Sequence, residues 1–298
     1  MEKITYHSLN KYLKDTFGVK VYKIAIDAGF TCPVRDGKIV TRGCIFCSAG
    51  GSGEFAQNRD LSVTNQIEKG KALVEKKLPK DSHHKYIAYF QAFTNTYAPY
   101  EILKEKYREA IDHPDICAIS IATRPDCLAD DVLRLLDELN HSKPVWVELG
   151  LQTIHKKSAE YIRRGYDLPI YDKAVSDLKK IGINVITHVI LGLPGESKDD
   201  MLKTVEYVGR SGSDGIKLQL LHVLKGTDLE KDYLAGRFKT LSEQEYIDIV
   251  CEALSRLPGN TVIHRLTGDG DKKLLVAPMW SADKKHILNE LSKYLIPV

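Results

Sequence analysis

An alternation of apolar, strand-like runs with amphipathic helical stretches constrains this chain more than any other feature. VYKIAID (21–27), KYIAYFQAF (85–93), ICAISIATRP (116–125), PVWVELGLQT (144–153), NVITHVILGLPGE (184–196) and GIKLQLLHVL (215–224) read as six strands. Helical periodicity fills the intervals at 63–78, 100–111, 129–139, 156–164, 170–181 and 198–210. Strands that are nearly continuous apolar runs are covered on both faces, which predicts a parallel sheet clothed by helices and closed or partly closed into a barrel. The expected fold is α/β: a partial (β/α)6 TIM-like barrel of parallel strands over 21–225. Right-handed crossovers then deliver every strand's C-terminal loop to one end, where chemistry collects in such folds.

Two flanks complete the expected organisation. Residues 1–20 carry Tyr6, Leu9, Tyr12, Leu13 and Phe17 on one helical face and stop at Gly18, as expected for a packing helix with a glycine C-cap. Residues 226–298 read as a C-terminal α/β extension packed on the barrel. It has helices at 227–234, 242–257 and 283–294, the second opened by a Ser242/Glu245 capping box, and a short strand in TVIHRLTGDG (261–270).

Three of the six cysteines lie on the loop after the first strand, in FTCPVRDGKIVTRGCIFCSAGGSG (30–53), with the spacing Cys-x11-Cys-x2-Cys. Cys32, Cys44 and Cys47 can ligate three irons of a 4Fe–4S cubane and leave the fourth open to a ligand. Read from spacing alone, a zinc knot completed by a distant His or Cys is the alternative. Cys117, Cys127 and Cys251 fall on strand flanks and a helix and read as small buried hydrophobes. The N-terminus has no long apolar run, nor does any later stretch match a membrane span, so a cytoplasmic protein with no membrane partner is expected. A balance of 43 Lys+Arg against 40 Asp+Glu permits a nucleic-acid substrate without indicating one.

The expected strand ends are polar: Gln91 and Thr94, ATRPD (122–126), Glu148 and Gln152, His188 and GLPGE, Gln219 and His222. Arg124 has Asp126 as a ready partner, and His188 and His222 are equally readable as core histidines. Gathered at one barrel mouth, such groups suit a polar cofactor. Phe46, before the last cysteine of the trio, is placed to shield a cluster from water.

CPVRDGKIVTRGCIFC (32–47), ATRPD, VELGLQT (147–153), RRGYD (163–167) and HVILGLPGE (188–196), in this order, resemble the radical S-adenosylmethionine (SAM) superfamily. The cysteine motif is similar to the wider-spaced form of its minority branches, departing from Cys-x3-Cys-x2-Cys. YFQAFTNTYAP (89–99) and the tail RLTGDG…LLVAPMWSADK look like the bacterial YtqA/YhcC-type subgroup, related to the branch that includes the Elongator catalytic subunit. The resemblance implies that Cys32, Cys44 and Cys47 hold a 4Fe–4S cluster and that SAM is the second cofactor. It further implies Gln91 and Thr94 near the methionine amino group, although the superfamily's glycine-rich motif is missing there. Glu148 and Gln152 are implied at the ribose, Arg164 at the cofactor carboxylate, and Leu191 (within 190–192) and Leu221 (within 220–222) at the adenine.

The reaction implied is reductive cleavage to a 5'-deoxyadenosyl radical that takes a hydrogen atom from the wobble uridine side chain of tRNA. That step converts 5-carboxymethylaminomethyl-(2-thio)uridine to 5-aminomethyl-(2-thio)uridine. tRNA, an electron donor such as flavodoxin or ferredoxin, and a downstream methyltransferase are the implied partners. His264, Arg265, Asp269 and Trp280 are the tail residues expected to face a substrate, and a small molecule is the alternative substrate class.

Overall fold

Several helices begin where a side chain satisfies a free amide of the first turn. Ser8 accepts from the Lys11 amide, Ser62 from Asn65, and Thr227 from Glu230, while Ser197 with Asp200 and Ser242 with Glu245 form reciprocal capping boxes. Gly18, at φ 73°, ends the first helix in the left-handed conformation that a side chain resists.

The computed structural model describes residues 3–51, 53, 55–79, 82–268 and 270–298. In chain order the elements are β1 (Ile4–Tyr6), α1 (Leu9–Phe17), β2 (Lys20–Ile26), α2 (Val63–Glu75), β3 (His84–Phe90), α3 (Tyr100–Ile111), β4 (Ile116–Thr123) and α4 (Asp130–Asn140). They continue with β5 (Val145–Gln152), α5 (Lys156–Tyr161), α6 (Leu168–Lys180), β6 (Asn184–Leu191), α7 (Lys198–Arg210), β7 (Gly215–Leu220) and β8 (Val223–Leu224). The chain closes with α8 (Asp228–Leu234), α9 (Glu243–Arg256), β9 (Val262–Arg265), β10 (Leu275–Ala277), α10 (Lys284–Ser292) and β11 (Leu295–Pro297).

The main sheet is parallel, in the order β2-β3-β4-β5-β6-β7-β9. It is the expected curled half-barrel with one strand more: the tail supplies β9 beside β7. Two pairings had no sequence signal. β1 pairs with β11, joining the chain's ends, and β10 pairs antiparallel with β8. Residues 4–6, expected within the first helix, form β1 because extended backbone there meets β11; the helix starts only after the Ser8 cap.

Alternation along each strand sorts side chains into two environments. One set, including Ile119, Ile121, Val147, Leu149, Val189, Leu191, Ile216 and Leu218, packs beneath the helical layer in the main core. The other set faces the barrel interior in tiers. At the N-terminal end Val21, Ile87, Ala118, Trp146 and Ile186 form an apolar floor, closed from below by Leu9, Tyr12, Leu13 and Phe17 of α1. Each such large side chain buried contributes roughly 1.5–3 kcal/mol. Above this floor the interior turns polar, and above that lie the loops.

Candidate active site at the C-terminal mouth of the half-barrel

The middle tier is a charge cluster built around Glu148, which is fully buried. Its Oε1 accepts from Lys23 Nζ and Ser120 Oγ, both at 2.7 Å. Its Oε2 accepts from His188 Nε2 at 2.7 Å and from the Lys217 ammonium. Lys217 also reaches the Tyr89 hydroxyl at 3.1 Å, and both lysines lie over the Tyr89 ring. Burial alone would raise the Glu148 carboxyl, but Lys217 and Lys23 hold it well below the usual carboxylate range. Burial, with Lys217 beside it, lowers His188 to about 4. The imidazole is therefore neutral, donating from Nε2 to Glu148 and accepting at Nδ1 from Gln219 Nε2 at 3.2 Å. The resemblance put Glu148 at a ribose; in the structure it lines the cysteine cavity, and each of its carboxylate oxygens already accepts from two protein donors.

The cysteine loop runs from the end of β2 to α2 and lies over this tier. Cys32, Cys44 and Cys47 line one cavity of about 150 Å³, together with Phe46, Gln91, Thr94, Gln152 and Arg164. The loop is held by specific contacts. Arg35 donates to the Cys47 carbonyl at 3.1 Å and to that of Ser48, and the Ile45 amide donates to Ile162 O at 3.3 Å. The Leu229 amide of the extension donates to Ile45 O at 3.1 Å. Phe93, itself at φ 60°, donates its amide to Gly51 O at 2.9 Å, and a Cβ on Gly51 would lie 2.4 Å from the Phe93 ring. A glycine is required there on both counts.

The donor set fits an iron–sulfur cluster. Three sulfurs share one cavity, and the Thr94 hydroxyl donates to Cys32 Sγ at 3.1 Å. Burial and the neighbouring Cys47 push the Cys44 thiol up to about 12, so an unligated protein keeps it protonated and bound metal must displace that proton. Cys117, Cys127 and Cys251 do not line this cavity. Arg124, which the sequence paired with Asp126, does so through two bonds of 2.9 and 2.7 Å, and its charge also reaches Cys32 and Cys44. Two guanidiniums, Arg35 and Arg124, would thus offset the charge of three thiolates holding a cluster.

A second cavity of about 160 Å³ adjoins the first, sharing Phe46, Tyr89, Gln91, Gln152 and His188. Gln152 stands at the junction. It has φ 70°, and its buried Oε1 has no hydrogen-bond partner among the described residues. A strained residue with an orphaned acceptor, beside the sulfurs, awaits a donor such as the hydroxyl or ammonium groups of SAM. The far wall of this cavity comes from β6, β7 and the extension: Ile190, Gln219, Leu221, His222, Arg265, Gly268 and Asp271.

Several sequence expectations are relocated. The Leu191 side chain lies in the main core, since alternation turns its neighbour Ile190 inward instead; Leu221 does line the cavity. Arg164 borders the cysteines, but its guanidinium donates to the carbonyls of Leu151, Thr153 and Tyr166, so it braces the loop after β5. Arg163 turns outward to Asp228 at 2.7 Å. Trp280 packs near Tyr246 and bonds Leu241 O, away from the cavity, and Asp269 lies outside the described residues. Lys23, Ser120, Tyr89 and Lys217 were not anticipated. A lysine inside the apolar run of β7 was the available signal.

Comparison with known proteins follows the same outline. A family model described as the Radical SAM superfamily matches residues 40–208, and one described as the Radical_SAM C-terminal domain matches 213–296. YtqA of Bacillus subtilis (strain 168) is 48% identical over 290 residues, covering 97% of this chain and 89% of its own length. The tRNA uridine(34) acetyltransferase of Methanocaldococcus jannaschii is 31% identical over 157 residues, 52% of this chain and 28% of its own. In fold, the archaeal Methanocaldococcus infernus Elp3 with an N-terminal deletion matches with a TM-score of 0.67 at 20% identity, over 92% of this chain and 63% of that one. The thiol-lined cavity therefore sits where a shared fold and a shared sequence both lead: this chain belongs to the radical SAM superfamily, whose enzymes use a 4Fe–4S cluster and S-adenosylmethionine.

Proposed function

We propose that this enzyme modifies the wobble uridine of tRNA, converting a 5-carboxymethylaminomethyl arm, with or without the 2-thio group, to 5-aminomethyl. The observation that carries this reading is the pair of adjoining cavities: one lined by the three cysteines, the other walled by the extension and wide enough for a side-chain arm but not a folded macromolecule. The sequence likeness to a tRNA uridine(34) acetyltransferase supports the same nucleoside as substrate.

When bound, the cluster and SAM supply one-electron reduction of the sulfonium and hydrogen abstraction by a 5'-deoxyadenosyl radical. Cys32, Cys44 and Cys47 hold the cluster, with Thr94 Oγ1 donating to one thiolate. Gln152 and Gln91, at the junction, orient the cofactor's polar groups, and Ile190 and Leu221 offer apolar surface to its base. Phe46 lines both cavities, and its ring is the apolar surface proposed to keep water from the reacting carbon. Glu148, by fixing Lys23, Lys217 and His188, holds the barrel interior rigid beneath them. Loss of a hydrogen atom from the carboxymethyl carbon to the 5'-deoxyadenosyl radical, and of one electron to an acceptor such as the oxidised cluster or the electron-carrier protein, would leave an iminium, which water hydrolyses to the aminomethyl group, released as its ammonium, and glyoxylate. A flavodoxin or ferredoxin is the proposed electron source, and a methyltransferase the proposed consumer of the product.

The test is anaerobic incubation of cluster-loaded enzyme with reductant, SAM and tRNA bearing the carboxymethylaminomethyl group, followed by nucleoside mass spectrometry. Appearance of 5-aminomethyluridine with equimolar 5'-deoxyadenosine supports the reading. 5'-Deoxyadenosine formation stimulated by small molecules but not by tRNA would replace it with the alternative substrate class.

A further inference from the structure

The second cavity carries more information than its size. Lys23 and Lys217 both spend their charge on Glu148. Arg265, at the end of β9, lines the cavity beside them, near enough to Tyr89, His188 and Lys217 to act on their charges. Among the described residues its guanidinium has no ion-pair or hydrogen-bond partner. A partly buried cation beside the Lys217 ammonium and with no ion pair of its own among the described residues is a costly arrangement, since such charges are ordinarily paired. Asp271 lines the same cavity; among the described residues its side chain accepts only the Lys273 amide, at Oδ1 and 2.9 Å, and makes no ion pair with Arg265. Gly268 and Gly270, between them in sequence, have Cβ positions that would lie 3.1 and 3.0 Å from the His222 ring, so side chains there would crowd the cavity wall. One cation and one anion, unpaired with each other, face one small space.

We propose that Arg265 and Asp271 form a receptor for a zwitterionic substrate arm, Arg265 pairing with a carboxylate and Asp271 with an ammonium group a few bonds away. The carboxylate is thereby the feature that admits a substrate. A guanidinium offers a carboxylate two parallel donors in a site with little water, where such pairs are strongest. The product, having lost its carboxylate and kept only its ammonium, leaves Arg265 unpaired again and is released. The identity of the arm rests on the wobble-uridine reading; the charge pattern that recognises it does not.

The experiment compares tRNA carrying 5-carboxymethylaminomethyluridine with the same tRNA carrying the 5-(carbamoylmethyl)aminomethyl isostere, in which the carboxylate alone is neutralised and the ammonium kept. Wild-type enzyme is expected to favour the acid in kcat/KM by about 30-fold or more, expressed mainly in KM, as an interaction worth about 2 kcal/mol would give. Arg265→Gln is expected to abolish that preference, and Arg265→Lys to keep part of it. Asp271→Asn is expected to weaken both substrates alike. Equal use of acid and amide by wild-type enzyme, which requires no variant to fold, overturns the proposal, as does undiminished preference in Arg265→Gln. If neither tRNA reacts, the proposed function fails, and titration of cluster-loaded protein with N-methylglycine decides the receptor separately. Binding by wild type and at least tenfold weaker binding by Arg265→Gln sustains it, and equal or absent binding overturns it.

Discussion

Glu148→Gln changes one atom of the barrel interior and strands two charges. The carboxylate is 0% exposed, with Lys217 at 4% and Lys23 at 19%. A glutamine in its place presents an amide NH2 to a position now occupied by donors, whichever way it is turned, because both oxygens of Glu148 accept two bonds each. Removing one partner of a buried ion pair costs about 3–5 kcal/mol, most of it the penalty of the uncompensated ammonium left behind. Against a total stability on the order of 5–15 kcal/mol this is a large fraction. In urea, with a slope near 3 kcal/mol per molar for a chain of this size, the midpoint should fall by roughly 1–1.7 M. The measurement is made on metal-free protein, so that loss of cofactor binding plays no part in it. Adding Lys217→Met to Glu148→Gln should return at least about 1 kcal/mol, since it removes one of the stranded charges. A single variant within about 1 kcal/mol of wild type, or strictly additive losses in the double variant, would refute the account of Glu148 as the anchor of this tier.

His188 gives a pH dependence with a defined sign. Its folded-state value is about 4 against an ordinary 6.5, so between these values the unfolded chain binds the extra proton. Stability is complete above pH ~6.5 and declines toward pH ~4 by up to about 3 kcal/mol, and the urea midpoint of His188→Gln should lose that part of the slope. Gly51→Ala places a methyl group within 2.4 Å of the Phe93 ring at a backbone φ of 60°, and should lower iron incorporation after anaerobic reconstitution while secondary structure by circular dichroism persists. Cys32→Ala, Cys44→Ala and Cys47→Ala should each abolish the visible absorbance of the cluster and SAM cleavage. Cys251→Ser, on α9 against the main core and outside the cysteine cavity, should retain full iron content.

The sheet was legible because its strands are long, apolar and separated by amphipathic helices, so that α3 and α7 begin and end where periodicity puts them. Pairings that depend on distant chain were not. β9 is four residues long, and only the free edge of β7 makes it a seventh strand; β1 and β11 are three residues each and exist through each other. At the site, the cysteine spacing singled out three metal-ligand candidates, with a cluster and a zinc knot both open, and the structure brings all three sulfurs to one cavity. Facing direction was harder to read. Leu191 and Ile190 are equivalent by composition, and the register of β6 decides which one lines the cavity. Glu148 looked like a cofactor ligand because its partners, Lys23 and Lys217, lie 125 and 69 residues away in sequence, where no local pattern links them. Arg164 looked free because carbonyls of the neighbouring loop, its actual partners, leave no signature in side-chain sequence.

The central claim is that the radical generated at the cysteine-lined cavity removes hydrogen from the wobble-uridine arm held beside it. The most direct measurement places deuterium on the carboxymethyl carbon of the tRNA substrate and follows it by mass spectrometry under reducing, anaerobic conditions. The account predicts 5'-deoxyadenosine carrying one deuterium, in step with 5-aminomethyluridine. 5'-Deoxyadenosine without deuterium from enzyme with an intact cluster, while the arm remains uncleaved, would contradict it.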